Sequence, residues 1–135
     1  YEYRVTARAS KTGSSQYVYS NSNLPQTASG FAPSAPSISN AVTGTDSLGS
    51  YVTFSNSISS FGSNSASYYE YSFDNGTTWN SNPTNGYIND TSGKIYGTSG
   101  QYVNLRIRLT NKDMYTSSAS NLLSFTFCII FSIYK

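Results

Sequence analysis

The sequence lacks histidine, contains a single cysteine and carries few charges. The absence of histidine excludes imidazole general bases and histidine metal ligands. Because Cys128 is the only cysteine, no intramolecular disulfide can form. Eight basic and six acidic residues give a net charge of +2, and the basic residues are scattered rather than clustered. This distribution gives no support for binding to nucleic acid or to an acidic membrane surface.

Long apolar runs are also missing. The most apolar stretch, residues 125–134, has about half of the ~20 residues that a bilayer span requires. We expect a last strand here, with a truncated membrane anchor or sequence foreign to the fold as the alternatives. The chain begins at Tyr1 without an initiator methionine or a recognisable signal peptide, so we expect it to be a segment of something longer.

Small polar residues and aromatic residues dominate what is present. Serine, threonine, asparagine and glycine number 27, 14, 13 and 10, which is nearly half of the chain. Such a mixture, taken alone, is typical of disorder. However, the 13 tyrosines and 7 phenylalanines are residues that disordered segments lack and that pleated, half-buried surfaces favour. No helical period of apolar residues is visible. The composition therefore predicts an ordered, all-β chain.

A repeat about 100 residues long organises the chain. Residues 3–13 and 105–113 each alternate apolar with polar positions and then break into a polar turn. The matching residues, 102 and 100 positions apart, are Arg4 with Arg106 and Ser20-Asn21 with Ser120-Asn121. A period of this length matches one β-sandwich module and exceeds the periods of solenoid repeats.

We therefore expect one complete module preceded by the C-terminal hairpin of another. Residues 1–24 are the last two strands of an incomplete sandwich, and the prolines within 25–36 mark a linker. Residues 37–125 form the complete module, and 126–135 are an apolar tail with no assigned role. Within the complete module, alternation and turn signals predict strands at 37–42, 51–55, 67–73, 87–88, 94–96, 101–109 and 117–125.

One predicted hairpin carries a recognisable motif. The 67–73 strand runs into Asp74-Asn75-Gly76, and Asn-Gly between strand-like runs is a strong hairpin signal because it tolerates positive φ. Residues 72–79, SFDNGTTW, fit the pattern S-x-D-x-G-x-T-W, the Asp box, which is best known from sialidases and other β-propellers. Alternation predicts a core face of Tyr69, Tyr71 and Phe73 and an opposite face of Tyr68, Glu70 and Ser72.

The chain also resembles tandem fibronectin type III or related bacterial immunoglobulin-like repeats, over roughly residues 1–125. The stretches that resemble their penultimate strand and inter-module linker are 3–7, 105–109 and 32–36. Residues 69–79, YEYSFDNGTTW, are similar to a strand-turn-strand unit of such modules. The chain departs from fibronectin type III on the second strand, where Tyr51 and Phe54 stand in place of a tryptophan.

This resemblance implies an immunoglobulin-like or fibronectin type III-like antiparallel β-sandwich without catalytic activity. Such domains serve as spacers, adhesion modules or ligand-display scaffolds, and they lie outside the cell, on its surface or on virions. The implied partners are neighbouring modules of the same polypeptide, together with a surface protein or a glycan. No membrane insertion is expected.

The residues themselves argue against an enzyme. Sialidase chemistry needs three converging arginines, whereas the arginines here fall on outward positions of equivalent strands: Arg4, Arg8, Arg106 and Arg108. Glu70 and Asp74 lie about 13 Å apart along an extended strand, too far for local pairing as glycosidase carboxylates. The serines have no histidine and no G-x-S-x-G elbow to activate them. We expect no cofactor and no metal site.

Aromatic residues and sequons supply the candidate sites. Tyr68 and Trp79 flank the motif hairpin and are the candidate ligand contacts, because their flat amphipathic rings suit stacking on sugars or proteins. They support an alternative function, an accessory carbohydrate-binding module of a secreted glycoside hydrolase. Asn75 and Asn89 begin N-x-T sequons in predicted surface turns, so both are candidate glycosylation sites.

Overall fold

The computed structural model describes residues 30–131 and, before them, four short strands. The chain divides into two compact units, Tyr1–Gly30 and Phe31–Lys135. The strands of the first unit are β1 (Glu2–Tyr3), β2 (Arg8–Ser10), β3 (Tyr17–Tyr19) and β4 (Gln26–Thr27). β1 pairs antiparallel with β4, and β2 with β3. β4 falls inside the predicted linker, 25–36, whose residues from Phe31 onward belong to the second unit.

The described part of the second unit, residues 31–131, contains eight strands and no helix. They are β5 (Ser37–Asp46), β6 (Gly49–Ser57), β7 (Ala66–Ser72), β8 (Asn80–Ser81), β9 (Tyr87–Ile88), β10 (Ser92–Gly97), β11 (Tyr102–Asn111) and β12 (Leu123–Thr126). The alternation predicted most of these strands, although β5 and β11 run further than expected and β8 was missed. Among the described residues, no helix is long and apolar enough to cross a membrane.

These strands form two four-stranded antiparallel sheets. The first has the order β5-β6-β10-β9 and the second the order β12-β11-β7-β8. Val52 of β6 pairs with Ile95 of β10, and Leu109 of β11 pairs with Tyr69 of β7, so the central strands align their apolar residues. The predicted all-β class is therefore confirmed, and the arrangement is that of a β-sandwich.

One hydrophobic cluster draws on both sheets. On β11, Leu105, Ile107 and Leu109 are completely buried, while the arginines between them are half-buried on the opposite face. On β6, Val52 and Phe54 point into the same cluster. Alternate residues of a strand face opposite sides of the sheet, so these short apolar-polar repeats are sufficient to build the core.

The predicted strand at 117–125 is wrong over residues 117–122, because β12 begins only at Leu123. Two buried serines replace the expected ladder. The Ser117 N–H donates to the Leu109 carbonyl (2.8 Å), and its hydroxyl oxygen accepts from the Leu109 N–H (3.0 Å). Ser120 makes the same pair of bonds with Ile107 (2.8 and 2.9 Å). The serine hydroxyl oxygens thus accept hydrogen bonds that backbone carbonyls would accept in a regular strand, so the backbone of 117–122 can bend.

The core continues past the last strand. Phe127 is fully buried, with its ring centre 5.5 Å from that of Phe73 and 5.3 Å from that of Phe125. The beginning of the predicted tail, 126–135, is thus part of the sandwich. Phe131 is 83% exposed, and residues 132–135 lie outside the described part of the chain.

Candidate functional site

The hairpin of the 72–79 motif connects β7 to β8 and is closed by its own hydrogen bonds. Asp74 Oδ1 accepts from the Ser72 hydroxyl (2.7 Å) and the Thr78 N–H (2.8 Å), and Asp74 Oδ2 accepts from the Thr78 hydroxyl (2.6 Å). These bonds lower the pKa of Asp74 to about 2. Asn75 and Gly76 adopt φ values of +62° and +92°, as the Asn-Gly signal predicted. All the motif's polar groups named here stabilise the turn itself.

Trp79 is held by a neighbouring arginine. The Arg108 guanidinium carbon lies 4.2 Å from the centre of the indole ring, a cation–π distance. Arg108 Nε also donates to Glu70 Oε1 (3.0 Å). Trp79 is half-buried as a result, and one face of its ring is already occupied. Trp79 therefore packs on the outer face of the sheet, and its ring is less open to a ligand than the sequence suggested.

Arg106 and Arg108 lie on the outward face of β11, as the alternation predicted. Arg106 donates from Nε to Asn75 Oδ1 and from a terminal nitrogen to the Ser120 carbonyl, both at 2.6 Å. The two arginines therefore engage separate partners and do not converge on a common point. The side chains of Arg4 and Arg8 are outside the described residues.

A cleft of about 500 Å³ lies elsewhere on the same module. Residues 65–69, at the start of β7, line one part of it, and residues 82–83 and 86–90 line the rest. Tyr68 and Tyr87 are both among the lining residues, and they are 39% and 47% exposed. The cleft therefore combines aromatic surface with the serine, asparagine and aspartate groups of these segments.

The Tyr69 hydroxyl fixes one polar group of the cleft by donating to Asp90 Oδ1. Burial raises the pKa of Tyr69, and the bond to Asp90 raises it further, so the hydroxyl stays protonated. Behind these residues, Asn56 donates from Nδ2 to the Asn89 carbonyl (2.8 Å). Asn56 Oδ1 is buried and has no hydrogen-bond partner in the described part of the chain.

Comparison with known proteins identifies no relative. No family model, no curated protein and no solved structure matches this chain. The function of the chain is therefore inferred from the geometry of the site and from the strand order.

The two predicted ligand contacts are not brought together. Tyr68 lines the cleft, whereas Trp79 is absent from its lining. Sequence reasoning did not identify the other cleft residues, because Asn82 and Asp90 occur among turn-forming residues that predict loops, and the predicted strand at 87–88 gave no indication of a site. Only the folded chain shows that these residues face the start of β7.

The two candidate glycosylation asparagines are both exposed, and both use Oδ1 locally. Asn75 Oδ1 accepts from Arg106, as described above. Asn89 Oδ1 accepts from the N–H groups of Thr91 (3.0 Å) and Ser92 (2.8 Å), which closes an Asx turn. Glycosylation itself stays a prediction.

A second polar group, on the outer face of the first sheet, was not anticipated. Lys94 Nζ lies 3.2 Å from Asp46 Oδ2 and 4.4 Å from the centre of the Tyr51 ring. The Tyr96 hydroxyl donates to the same carboxylate oxygen at 2.6 Å, and these bonds lower the pKa of Asp46. Within the described residues, no three histidine, cysteine, aspartate or glutamate side chains lie close enough to hold a metal ion. This group therefore serves to join strands β5, β6 and β10.

Proposed function

We propose that the chain is part of a non-catalytic array of immunoglobulin-like modules that acts as a spacer or adhesive display unit on an extracellular, cell or virion surface. The observation that carries the proposal is the strand order. β5-β6-β10-β9 corresponds to the A-B-E-D order of an immunoglobulin sandwich, and β12-β11-β7-β8 corresponds to G-F-C-C′. This correspondence supports the resemblance to fibronectin type III and bacterial immunoglobulin-like repeats.

The path of the chain through the second unit supports a spacer role. The Phe31 carbonyl accepts from the Asn111 side chain (3.1 Å), at the last residue of β11. The Phe127 N–H donates to the Gln101 carbonyl (2.9 Å), just before β11 begins. A strand of ten residues is about 33 Å long, so the chain enters and leaves this unit at opposite ends. Modules connected in this way extend an array with each copy added.

The repeated residues support an array of similar folds. In the second unit, Arg106 bonds to the Ser120 carbonyl, and the Ser120 hydroxyl accepts from β11. Asn121 joins the two sheets, because its side chain accepts from the Ile38 N–H and donates to the Ile38 carbonyl, both at 2.8 Å. The residues that recur about 100 positions apart are thus ones that hold a sandwich together. Their recurrence is what a repeated scaffold predicts.

Labelling intact particles or cells of the source with an antibody against this chain tests the surface location. The proposal predicts labelling without permeabilisation, whereas labelling only after permeabilisation would contradict it. Limited proteolysis of the chain tests the modular organisation, because a folded second unit should survive as a fragment from about residue 31 to 131. If sites within 37–125 are cleaved early, and as fast as sites within 20–30, this result would count against an organisation in two modules.

A further inference from the structure

We propose that the cleft beside the start of β7 binds a neutral saccharide. This inference goes beyond the spacer role, because a passive spacer needs no ligand. It also relocates the ligand contact that the sequence suggested, since Tyr68 belongs to this cleft and Trp79 does not.

The dimensions of the cleft suit a small ligand. Its volume of about 500 Å³ falls within the range of roughly 300–1,000 Å³ typical of ligand-binding pockets. The cleft is bounded by a strand start, at 65–69, and by the 82–90 connection, so a ligand would contact two segments that are separate in sequence. A single sugar ring or a disaccharide is the size of ligand that fits.

The lining has the chemistry that a sugar requires. Tyr68 and Tyr87 expose aromatic surface, on which the C–H groups of a pyranose ring can pack. Asp90 Oδ2, the Ser67 hydroxyl and the Asn82 side chain make no hydrogen bond within the described part of the chain. A carboxylate accepts strong, charge-assisted hydrogen bonds from hydroxyl groups, and an amide can both donate and accept. The sugar hydroxyls would therefore find partners of both kinds.

The charge of the cleft selects neutral ligands. Asp90 is the one charged residue of its described lining, and that lining contains no lysine or arginine. Lys94, which pairs in register with Tyr87, already binds Asp46 at 3.2 Å. A sialic acid or a sulfated sugar would bring its negative charge towards Asp90 without a cation to balance it. This cleft therefore predicts a neutral sugar as its ligand, whereas an Asp box interpreted as a sialidase motif would suggest an acidic sugar.

Several cleft groups are held in place before any ligand arrives. The Tyr69 hydroxyl orients the Asp90 carboxylate, and the Asx turn of Asn89 fixes the backbone beside it. The Gly86 N–H donates to the Pro83 carbonyl (3.1 Å), which closes the turn on the other side. Binding would therefore freeze few side chains, which favours measurable affinity in an open site.

Titration of the whole chain with defined sugars, followed by NMR, tests the proposal. The probes are lactose, cellobiose, maltose and methyl α-mannoside, with 3′-sialyllactose as the anionic counterpart of lactose. We expect at least one neutral probe to bind. If lactose binds, 3′-sialyllactose should bind at least tenfold more weakly than lactose. Tyr68→Ala should weaken binding about tenfold, because the ring contact is lost. Asp90→Asn should weaken binding several-fold, because the charge is lost while the amide oxygen still accepts from the Tyr69 hydroxyl.

Matched variants separate the site from general effects. Tyr68→Phe keeps the ring and should stay within about threefold of the wild type, and Tyr102→Ala, at another exposed tyrosine, should change nothing. The proposal is overturned if no neutral probe binds, if the sialylated probe binds best, or if Trp79→Ala abolishes binding while Tyr68→Ala leaves it intact. None of these results alters the outcome of the surface-labelling test of the spacer role.

Discussion

Replacing Phe127 with alanine tests whether the chain beyond β12 is part of the core. The side chain is fully buried against Phe73 and Phe125. The Gly97 backbone approaches its ring so closely that a Cβ at that position would overlap it. These neighbours are anchored in both sheets, so they can fill little of the space that the ring leaves. Truncations of this kind cost about 3–5 kcal/mol, a large share of a total stability of roughly 5–15 kcal/mol.

Urea unfolding, followed by emission of the single tryptophan, measures this effect. With an m-value of about 2 kcal/mol/M, a loss of about 4 kcal/mol lowers the unfolding midpoint by roughly 2 M. Phe131, four positions later and 83% exposed, provides the matched control. Phe131→Ala should change the free energy of unfolding by less than about 0.5 kcal/mol. A loss below about 1 kcal/mol for Phe127→Ala, or equal losses for the two variants, would refute the packing argument.

Three further substitutions test separate contacts. Asn121→Ala leaves the N–H and carbonyl groups of Ile38 without their partners and should lower the free energy of unfolding by about 2–4 kcal/mol in urea. Asp74→Asn should reduce the loss of stability in urea between about pH 4 and pH 2. Because the pKa of Asp74 is lower in the folded chain than in the unfolded chain, the ionised carboxylate stabilises the fold fully at pH values above the unfolded-state pKa. This contribution disappears as the pH falls towards about 2. Arg108→Ala should shift the Trp79 emission to longer wavelength, because it uncovers the ring.

Each of these predictions has its own control and contrary result. Asn80→Ala, at an exposed strand residue, should leave stability within about 0.5 kcal/mol, and an equal effect of Asn121→Ala would contradict the bridge between the sheets. An unchanged pH response for Asp74→Asn would contradict the lowered pKa of Asp74, and Asp113→Asn should reduce the acid loss of stability in the same direction, because the pKa of Asp113 is also lowered. Lys112→Ala should leave the emission unchanged, and an unshifted spectrum for Arg108→Ala would count against the stacked arrangement.

The sequence predicted the parts of the fold that depend on local pattern. Leu105, Ile107 and Leu109 alternate with polar residues, and a strand buried on one face needs nothing more. The Asn75-Gly76 turn was equally clear, because few other pairs tolerate positive φ. Prediction failed at 117–122, where serine hydroxyls bond to β11 in place of backbone carbonyls. A serine-rich segment carries no signal that separates this use of its hydroxyls from exposure to solvent.

The site could be predicted only in part. Alternation along β7 correctly placed Tyr68 on the exposed side of the strand. The state of Trp79 could not be predicted, because the arginine that covers it lies 29 positions further along the chain. The cleft depends on the meeting of 65–69 with 82–90, and the second segment contains too few apolar residues to indicate where it packs. Contacts distant in sequence thus decide which aromatic residues remain open.

Stretching single molecules of the full-length natural protein tests the central claim, an array of similar sandwich modules, most directly. A module that recurs about every 100 residues releases about 330–360 Å of extended chain, less the length of the folded module, each time one copy unfolds. An array of such modules should give a series of unfolding events separated by nearly equal increments of about 300 Å. A single event, or increments unrelated to this length, would contradict an array of similar modules.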